Sequence, residues 1–185
     1  MTTTIQTPVR ERYASAIAEM QERHGITNRL AAPRITKISL NMGVGRAIAD
    51  NQILPIVTEH LSRLAGQRAT VTRARKSIAQ FRSREGMKIG ARVTLRGQRM
   101  WSFLDKLISL AIPRIKDFRG LSPRKGFDRQ GNYNMGLTEQ ALFPEVTLDK
   151  IEHNQGLNIT ICIDNTDAEK SLELLKGIGM PFRER

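Results

Sequence analysis

Nine basic residues stand between Arg73 and Arg99 (Arg73, Arg75, Lys76, Arg82, Arg84, Lys88, Arg92, Arg96 and Arg99), and Glu85 is the single acid among them. Guanidinium and ammonium groups in that number call for an anion, and a phosphate backbone is the partner that satisfies a long run of them. A solvated charged face is the ordinary fate of a charge run. A surface built for solubility alone mixes the signs of its charges, however, and this one does not. The second half of the stretch alternates. Ile89, Ala91, Val93 and Leu95 fall on one side, and Gly90, Arg92, Thr94 and Arg96 on the other. That spacing predicts a half-buried strand with a basic, hydroxylic open face. The first half, 73–87, has no clean apolar period and carries Gly86 near its end, which predicts a long, protruding basic loop.

Other candidate chemistry is thin. Gly43–Val44–Gly45 follows a predicted strand and precedes a predicted helix, as a dinucleotide loop would, but Ile48 stands where a third glycine belongs and no acid is placed about twenty residues on. A tight turn is the plainer reading. His24, His60 and His153 are far apart and make no ligand spacing, so each is expected at the surface or at a helix end. Ser77 and Ser83 lack a motif partner, and Asp117 and Asp128 sit among arginines, where ion pairing is the expectation. A single cysteine, Cys162, excludes an internal disulfide and a cysteine-cluster zinc site, and reads as a small neutral filler in a strand. No catalytic residue, metal or cofactor is expected.

The 185 residues are enough for one domain, 1–185, comprising an N-terminal helix and linker (1–30) and a body from which loop 73–87 protrudes. A chain of this length buries about 70% of its unfolded surface and needs no staple. The net charge of +12 favours polyanionic partners, whereas the 5% aromatic content weakens any reading based on base stacking along a single strand. The charge is uneven. From Leu137 to Arg185 nine acids face five bases, a net −4, so the remaining residues carry +16. One surface seeks a polyanion and another is free to meet something basic. The first twelve residues hold no long apolar run and no window approaches 18 apolar residues, so neither a signal peptide nor a membrane span is expected and the protein reads as cytoplasmic.

These groups must be positioned by the elements around them. Val9, Tyr13, Ala16, Ile17 and Met20 predict a helix over 8–24 that stops at Gly25. Ile38, Leu40 and Met42 alternate with Lys37, Ser39 and Asn41 in a strand over 35–42. Ile53, Leu54, Val57, Leu61, Leu64 and Ala65 form a helical stripe that Asp50 or Asn51 would cap, that tolerates Pro55 only in its first turn, and that Gly66 ends. A short strand over 69–72 makes a hairpin with strand 88–96. A helix over 100–112 carries Trp101, Leu104, Leu107, Ile108 and Ala111 inward and is closed by Pro113. Residues 114–145 read as a long excursion without regular structure. A final strand (Leu157, Ile159, Ile161, Ile163) leads to a helix capped by Thr166 or Asp167. The order is that of an α+β, ferredoxin-like split βαβ arrangement. Helices then lie on one face of an antiparallel or mixed sheet, and the other face is open for RNA. That open face collects Lys37, Ser39, Asn41, Arg92, Thr94, Arg96, Asn158 and Thr160. Such donors and acceptors suit phosphates and the 2′-hydroxyls of an RNA minor groove.

LSRLAGQRATVTRARKSIA (61–79) resembles the signature of the universal 5S-rRNA-binding protein family of the large ribosomal subunit, ribosomal protein five. NMGVG (41–45), IGARVTLRGQRMWSFLDKLI (89–108), PRIKDFRGLS (113–122), GNYNMGLTEQ (131–140), FPE (143–145) and MPFR (180–183) are similar to its bacterial form. The resemblance covers essentially the whole chain, most clearly 30–185. SPRKGFDRQGNYN departs from the pattern by an extra residue near Lys125–Gly126 and by lacking the glycine usual after Asp128. The resemblance implies a structural, non-catalytic RNA-binding protein of translation in the central protuberance. Its sheet face would hold 5S rRNA, with Asn41, Gln67 and Thr94 at positions the family uses there. With the basic strand this gives an rRNA set of Lys37, Ser39, Asn41, Gln67, Arg92, Thr94, Arg96 and Arg99. The loop after Thr72 (Arg73, Arg75, Lys76, Ser77, Arg82, Arg84) would approach the elbow of the peptidyl-site tRNA. Other implied partners are large-subunit rRNA, neighbouring 5S-binding ribosomal proteins and a basic protein of the small-subunit head across an intersubunit bridge. An enzyme acting on RNA, such as a nuclease or methyltransferase, is the alternative, and it would need a carboxylate cluster or cofactor loop that these residues do not supply.

The basic strand and loop make a first prediction. If about five to eight phosphates are neutralised, the affinity for isolated 5S rRNA falls with salt at a log–log slope of roughly −4 to −7. A slope near zero up to moderate salt would remove the electrostatic reading.

Overall fold

Alternating strands and striped helices give the α+β, split βαβ arrangement that the sequence predicts. The computed structural model describes residues 9–45, 52–139, 142–145 and 155–183. In chain order these form α1 (Val9–His24), β1 (Arg34–Gly43), α2 (Ile53–Ala65), β2 (Thr70–Arg73), β3 (Lys88–Leu95), α3 (Gly97–Lys106), β4 (Tyr133–Leu137), β5 (Leu157–Asp164) and α4 (Ala168–Gly177). The strands lie in the order β2-β3-β1-β5-β4, and β3 runs antiparallel to both β1 and β2. By packing, the chain divides into two compact units. One contains the residues up to Lys37, Arg96–Asn134 and the residues from Ile161 on; the other contains Ile38–Leu95 and Met135–Thr160.

In the second unit, α2 covers β3. Leu54, Val57, Leu61 and Leu64 recur at helical spacing and are buried, as are Ile38, Leu40, Met42, Ala91, Val93 and Leu95 of the strands. Each large side chain removed from water in this way stabilises the fold by about 1.5–3 kcal/mol. Pro55 is the third residue of α2, inside the first turn, where its missing N–H costs nothing. Asp50 and Asn51, the expected caps, lie outside the described residues; Gln52 occupies the N-cap position without a side-chain cap bond. Gly66 ends the helix in the left-handed conformation at φ 61°, donating to the Arg63 and Ser62 carbonyls. His60 departs from expectation. It lies mid-helix with 5% exposure, and its Nδ1 has no hydrogen-bond partner. It falls on the same face as Val57, Leu61 and Leu64, which decides its burial over its polarity. In the Gly43–Val44–Gly45 segment the strand runs on to Gly43, and a turn begins only at Gly45. Neither glycine has positive φ, and the Val44 N–H extends the ladder by donating to the Ile89 carbonyl at 2.9 Å.

The first unit is built on helix pairs. α1 packs against α4 and α3. At the α1–α4 contact a Cβ on Gly177 would come within 2.6 Å of the Ala16 Cβ, so the close approach requires glycine there. The helix expected over 100–112 begins earlier, at Gly97, and is regular only to Lys106; Leu107–Ala111 forms a π-helical turn and Ile112–Arg114 a 3₁₀ turn. Pro113 lies within that last turn rather than closing the helix, and its lack of an N–H interrupts the α-helical ladder locally. The excursion over 114–145 is not structureless. It contains β4, in which Tyr133 and Leu137 are buried. Tyr133 belongs to an aromatic cluster with Phe127 and Phe182, at centroid distances of 4.7 and 5.4 Å. Burial pushes the Tyr133 phenol up to about 12. Among the described residues Asp128 forms no ion pair with its neighbouring arginines. Its carboxylate accepts from the Gln130 and Asn132 backbone N–H groups and from Asn132 Nδ2, and the Asn132 bond is the leading reason its pKa is lowered. Asn132 Oδ1 in turn accepts the Ile163 N–H at 3.1 Å, tying this loop to β5. Asp167 stands at the N-cap of α4 as expected, though without a side-chain cap bond.

Arg23 and His24 at the end of α1 both pair with Glu173 of α4. The His24 hydrogen bond is the main cause that lowers the Glu173 pKa, with Arg23 adding to it. A carboxylate with a depressed folded pKa contributes stability above its unfolded value, near 4.3, and that contribution is lost as pH falls through the folded pKa. Glu173→Gln is therefore expected to flatten the loss of melting temperature between about pH 5 and pH 3 relative to the parent. Identical pH profiles for the two proteins would show that the pairing contributes nothing to acid stability.

Candidate nucleic-acid interface

The second unit presents a polar sheet face whose composition follows from register. β1 and β3 pair Ser39 with Thr94 and Asn41 with Arg92. The intervening pairs, Ile38 with Leu95, Leu40 with Val93 and Met42 with Ala91, are buried on the other face. A period of two thus sends every apolar partner inward and every polar partner outward. Asn41 and Arg92 are exposed; Ser39 and Thr94 are half-buried. On β5, Asn158 is exposed and Thr160 half-buried. Thr70 of β2 stands opposite Arg92 and extends the hydroxyl row. Gly90, between the outward-facing Arg92 and the loop, is fully enclosed. A Cβ there would lie 2.6 Å from the Met42 carbonyl oxygen and 3.0 Å from Thr72 Oγ1, so this glycine lets three strands meet.

The remaining expected rRNA residues are distributed. Gln67 is half-buried in the connection after Gly66, its N–H donating to the Ser62 carbonyl at 3.2 Å. Lys37 and Arg96 belong to the first unit, where they line a cavity with Tyr13, Arg34, Trp101 and Asp164. Arg99 is exposed on the first turn of α3 rather than on a strand. No local signal marks Tyr13, Arg34, Trp101 and Asp164 as site residues, because they come from four separate elements and only the tertiary fold assembles them.

Loop 73–87 keeps its bases outward. Arg73, Arg75, Lys76, Ser77, Arg82 and Arg84 are all exposed. The loop nevertheless bonds to itself. Ile78 bridges Ser83, the Glu85 N–H donates to Ser77 Oγ at 3.0 Å, and Ala74 exchanges backbone bonds with Met87 and Gly86. Arg82 takes the left-handed conformation at φ 50°, which closes the tip. Ile78 and Phe81 are 45% and 65% exposed, and with Val44, Ala74 and Ile89 they line an apolar groove rimmed by Arg75 and Lys76. None of the five loop bases is ion-paired among the described residues. Their charge is therefore available to an external anion.

Residues 28–84 match the family model for ribosomal protein L5, and residues 88–182 match the separate model for the C-terminus of the same ribosomal family. The chain is 50% identical over 171 residues to the large ribosomal subunit protein uL5 of Colwellia psychrerythraea, covering 92% of this chain and 94% of that one. The chain belongs to the ribosomal protein L5 family. Its similarity to the uL5 proteins of Anaeromyxobacter sp. strain K (48% over 177 residues, 95% of this chain and 98% of that one) and Rubrobacter xylanophilus (50% over 176 residues, 95% and 97%) is of the same extent. L5 proteins are structural components of the large subunit of cytoplasmic ribosomes. The chain is accordingly a ribosomal, RNA-associated protein of translation and not an enzyme, which removes the RNA-modifying alternative.

Proposed function

We propose that the chain anchors 5S rRNA in the central protuberance through the polar sheet face, and that it reaches the peptidyl-site tRNA with loop 73–87. The observation that carries the first part is the pairing of Ser39 with Thr94 and of Asn41 with Arg92 on one face, backed by buried apolar pairs. Hydroxyl, amide and guanidinium groups in adjacent rows match the 2′-hydroxyls, base edges and phosphates of a shallow RNA minor groove. Gln67, Asn158 and Thr160 add hydrogen-bonding groups, and Lys37, Arg96 and Arg99 add positive charge for flanking phosphates or large-subunit rRNA. The second part is supported by five exposed, unpaired bases on a protruding loop that holds its shape through its own backbone bonds. The acidic excess from Leu137 onward supports a contact with a basic protein of the small-subunit head and with neighbouring 5S-binding proteins.

Thr94→Val tests the sheet face. The swap keeps the shape and removes a hydroxyl, and a hydrogen bond lost to a buried RNA partner costs about 1–3 kcal/mol. Affinity for isolated 5S rRNA should fall while the melting temperature holds; unchanged affinity would move the RNA elsewhere. The loop is tested by replacing 74–86 with a short glycine-containing turn. Folding and 5S affinity are expected to survive, since the loop lends no buried large side chain to the core, while retention of tRNA in the peptidyl site drops. Lost 5S affinity with normal tRNA retention would assign the loop to the wrong RNA.

A further inference from the structure

The first unit holds a cavity of about 570 Å³ lined by Tyr13, Arg34, Lys37, Arg96, Trp101 and Asp164. That volume lies within the usual range for small-ligand sites, about 300–1,000 Å³. Its composition is unlike that of the open sheet face. The chain has one tryptophan and two tyrosines, and the tryptophan and one tyrosine meet here, with ring centroids 4.7 Å apart at 53°. Trp101 and Tyr13 are each only half-buried, so part of their surface faces the cavity. Tyr13 is fixed by a backbone hydrogen bond from Ile35. Three cations, Arg34, Lys37 and Arg96, share the cavity with one carboxylate, Asp164, and none of the four is ion-paired among the described residues. In a chain with so few aromatics, a ring pair set beside three unpaired cations asks for a ligand that is both flat and anionic.

We propose that this cavity seats a single unpaired nucleotide of a bound RNA. The phosphate lies toward Arg34, Lys37 and Arg96, the base packs on the Trp101–Tyr13 pair, and Asp164 accepts from an exocyclic amino group or a ribose hydroxyl. A nucleotide supplies all three features at once: a charge for the cations, a π-face for the rings and donors for the carboxylate. An acidic peptide supplies the charge and, through its backbone N–H groups, the donors, but its carboxylates offer no flat π-face to the Trp101–Tyr13 pair. The inference rests on the RNA-binding reading above and adds a contact specific for an extruded base, which a paired helix does not offer.

The lone tryptophan is its own reporter. The full chain is titrated with an RNA hairpin bearing a one-nucleotide bulge, with the same hairpin fully paired, with adenosine monophosphate and with inorganic phosphate, following Trp101 emission and affinity. The bulged hairpin is expected to bind about tenfold tighter than the paired one and to quench Trp101. Adenosine monophosphate should quench at higher concentration, and phosphate should not. Arg34→Gln, at an exposed and unpaired position, and Trp101→Phe, which keeps an aromatic ring, should each bring the two hairpins toward equal affinity with the melting temperature retained. Equal binding of the two hairpins without quenching would overturn the nucleotide seat, and so would phosphate reproducing the effect of the nucleotide. If 5S rRNA binds while the bulge preference is absent, only the seat falls. If neither hairpin nor 5S rRNA binds, the RNA-binding reading falls with it.

Discussion

The antiparallel register of β1 against β3 sets both the core and the polar face of the second unit. It pairs Leu40 with Val93 and Ile38 with Leu95 beneath α2, and by the same step brings Ser39 to Thr94 and Asn41 to Arg92 on the opposite face. Because side chains alternate with a period of two, a slip of one residue would bury Arg92 and Asn41 and expose the aliphatic pairs. An unpaired buried guanidinium costs far more than any hydrogen bond the slipped register could make. Hydrophobic burial therefore sets the register, and the polar face follows from it. Gly90 narrows the choice further, since no side chain fits between the Met42 carbonyl and the Thr72 hydroxyl.

Loop 73–87 obeys different physics. It has almost nothing to bury, and its shape comes from backbone bonds across Ala74–Met87 and Ile78–Ser83. Five like charges in so short a segment repel one another, and no acid of the described residues pairs with them. That repulsion is relieved when an external polyanion neutralises them, and the accompanying counterion release makes such contacts favourable at moderate salt. Phe81 and Ile78, left largely exposed at the tip, add an apolar element that a phosphate backbone alone does not use.

In the first unit the packed helices bury Met20, Phe103, Leu104, Leu107, Leu174 and Leu175, and the long loop before β4 is ordered by smaller devices. The Asp128 carboxylate gathers two backbone N–H groups and the Asn132 amide, Asn132 reaches the Ile163 N–H, and Phe127, Tyr133 and Phe182 close the cluster beneath. These bonds satisfy polar groups that a long loop would otherwise leave to solvent, which explains how a Gly-, Asn- and Arg-rich stretch remains part of a packed unit.

The α+β order, the positions of the four helices and four of the five strands, the basic loop and the inward and outward faces of β1 and β3 are all legible along the chain. Each of these rests on a local period or a local breaker, which a chain displays without knowing its neighbours. The sequence also held, in motifs over most of its length, the resemblance that the family comparison bears out. Other features depend on partners distant in the chain and emerge only on folding. β4 is too short and too rich in glycine and asparagine to show a period, and becomes a strand because Tyr133 and Leu137 have a core to enter. His60 is buried because its helix face is, and Asp128 serves a turn rather than an arginine because two N–H groups lie closer than any guanidinium. The cavity at Tyr13 and Trp101 draws on α1, β1, α3 and the end of β5, elements from opposite ends of the chain, and no spacing along a chain can encode a site whose members meet only through packing.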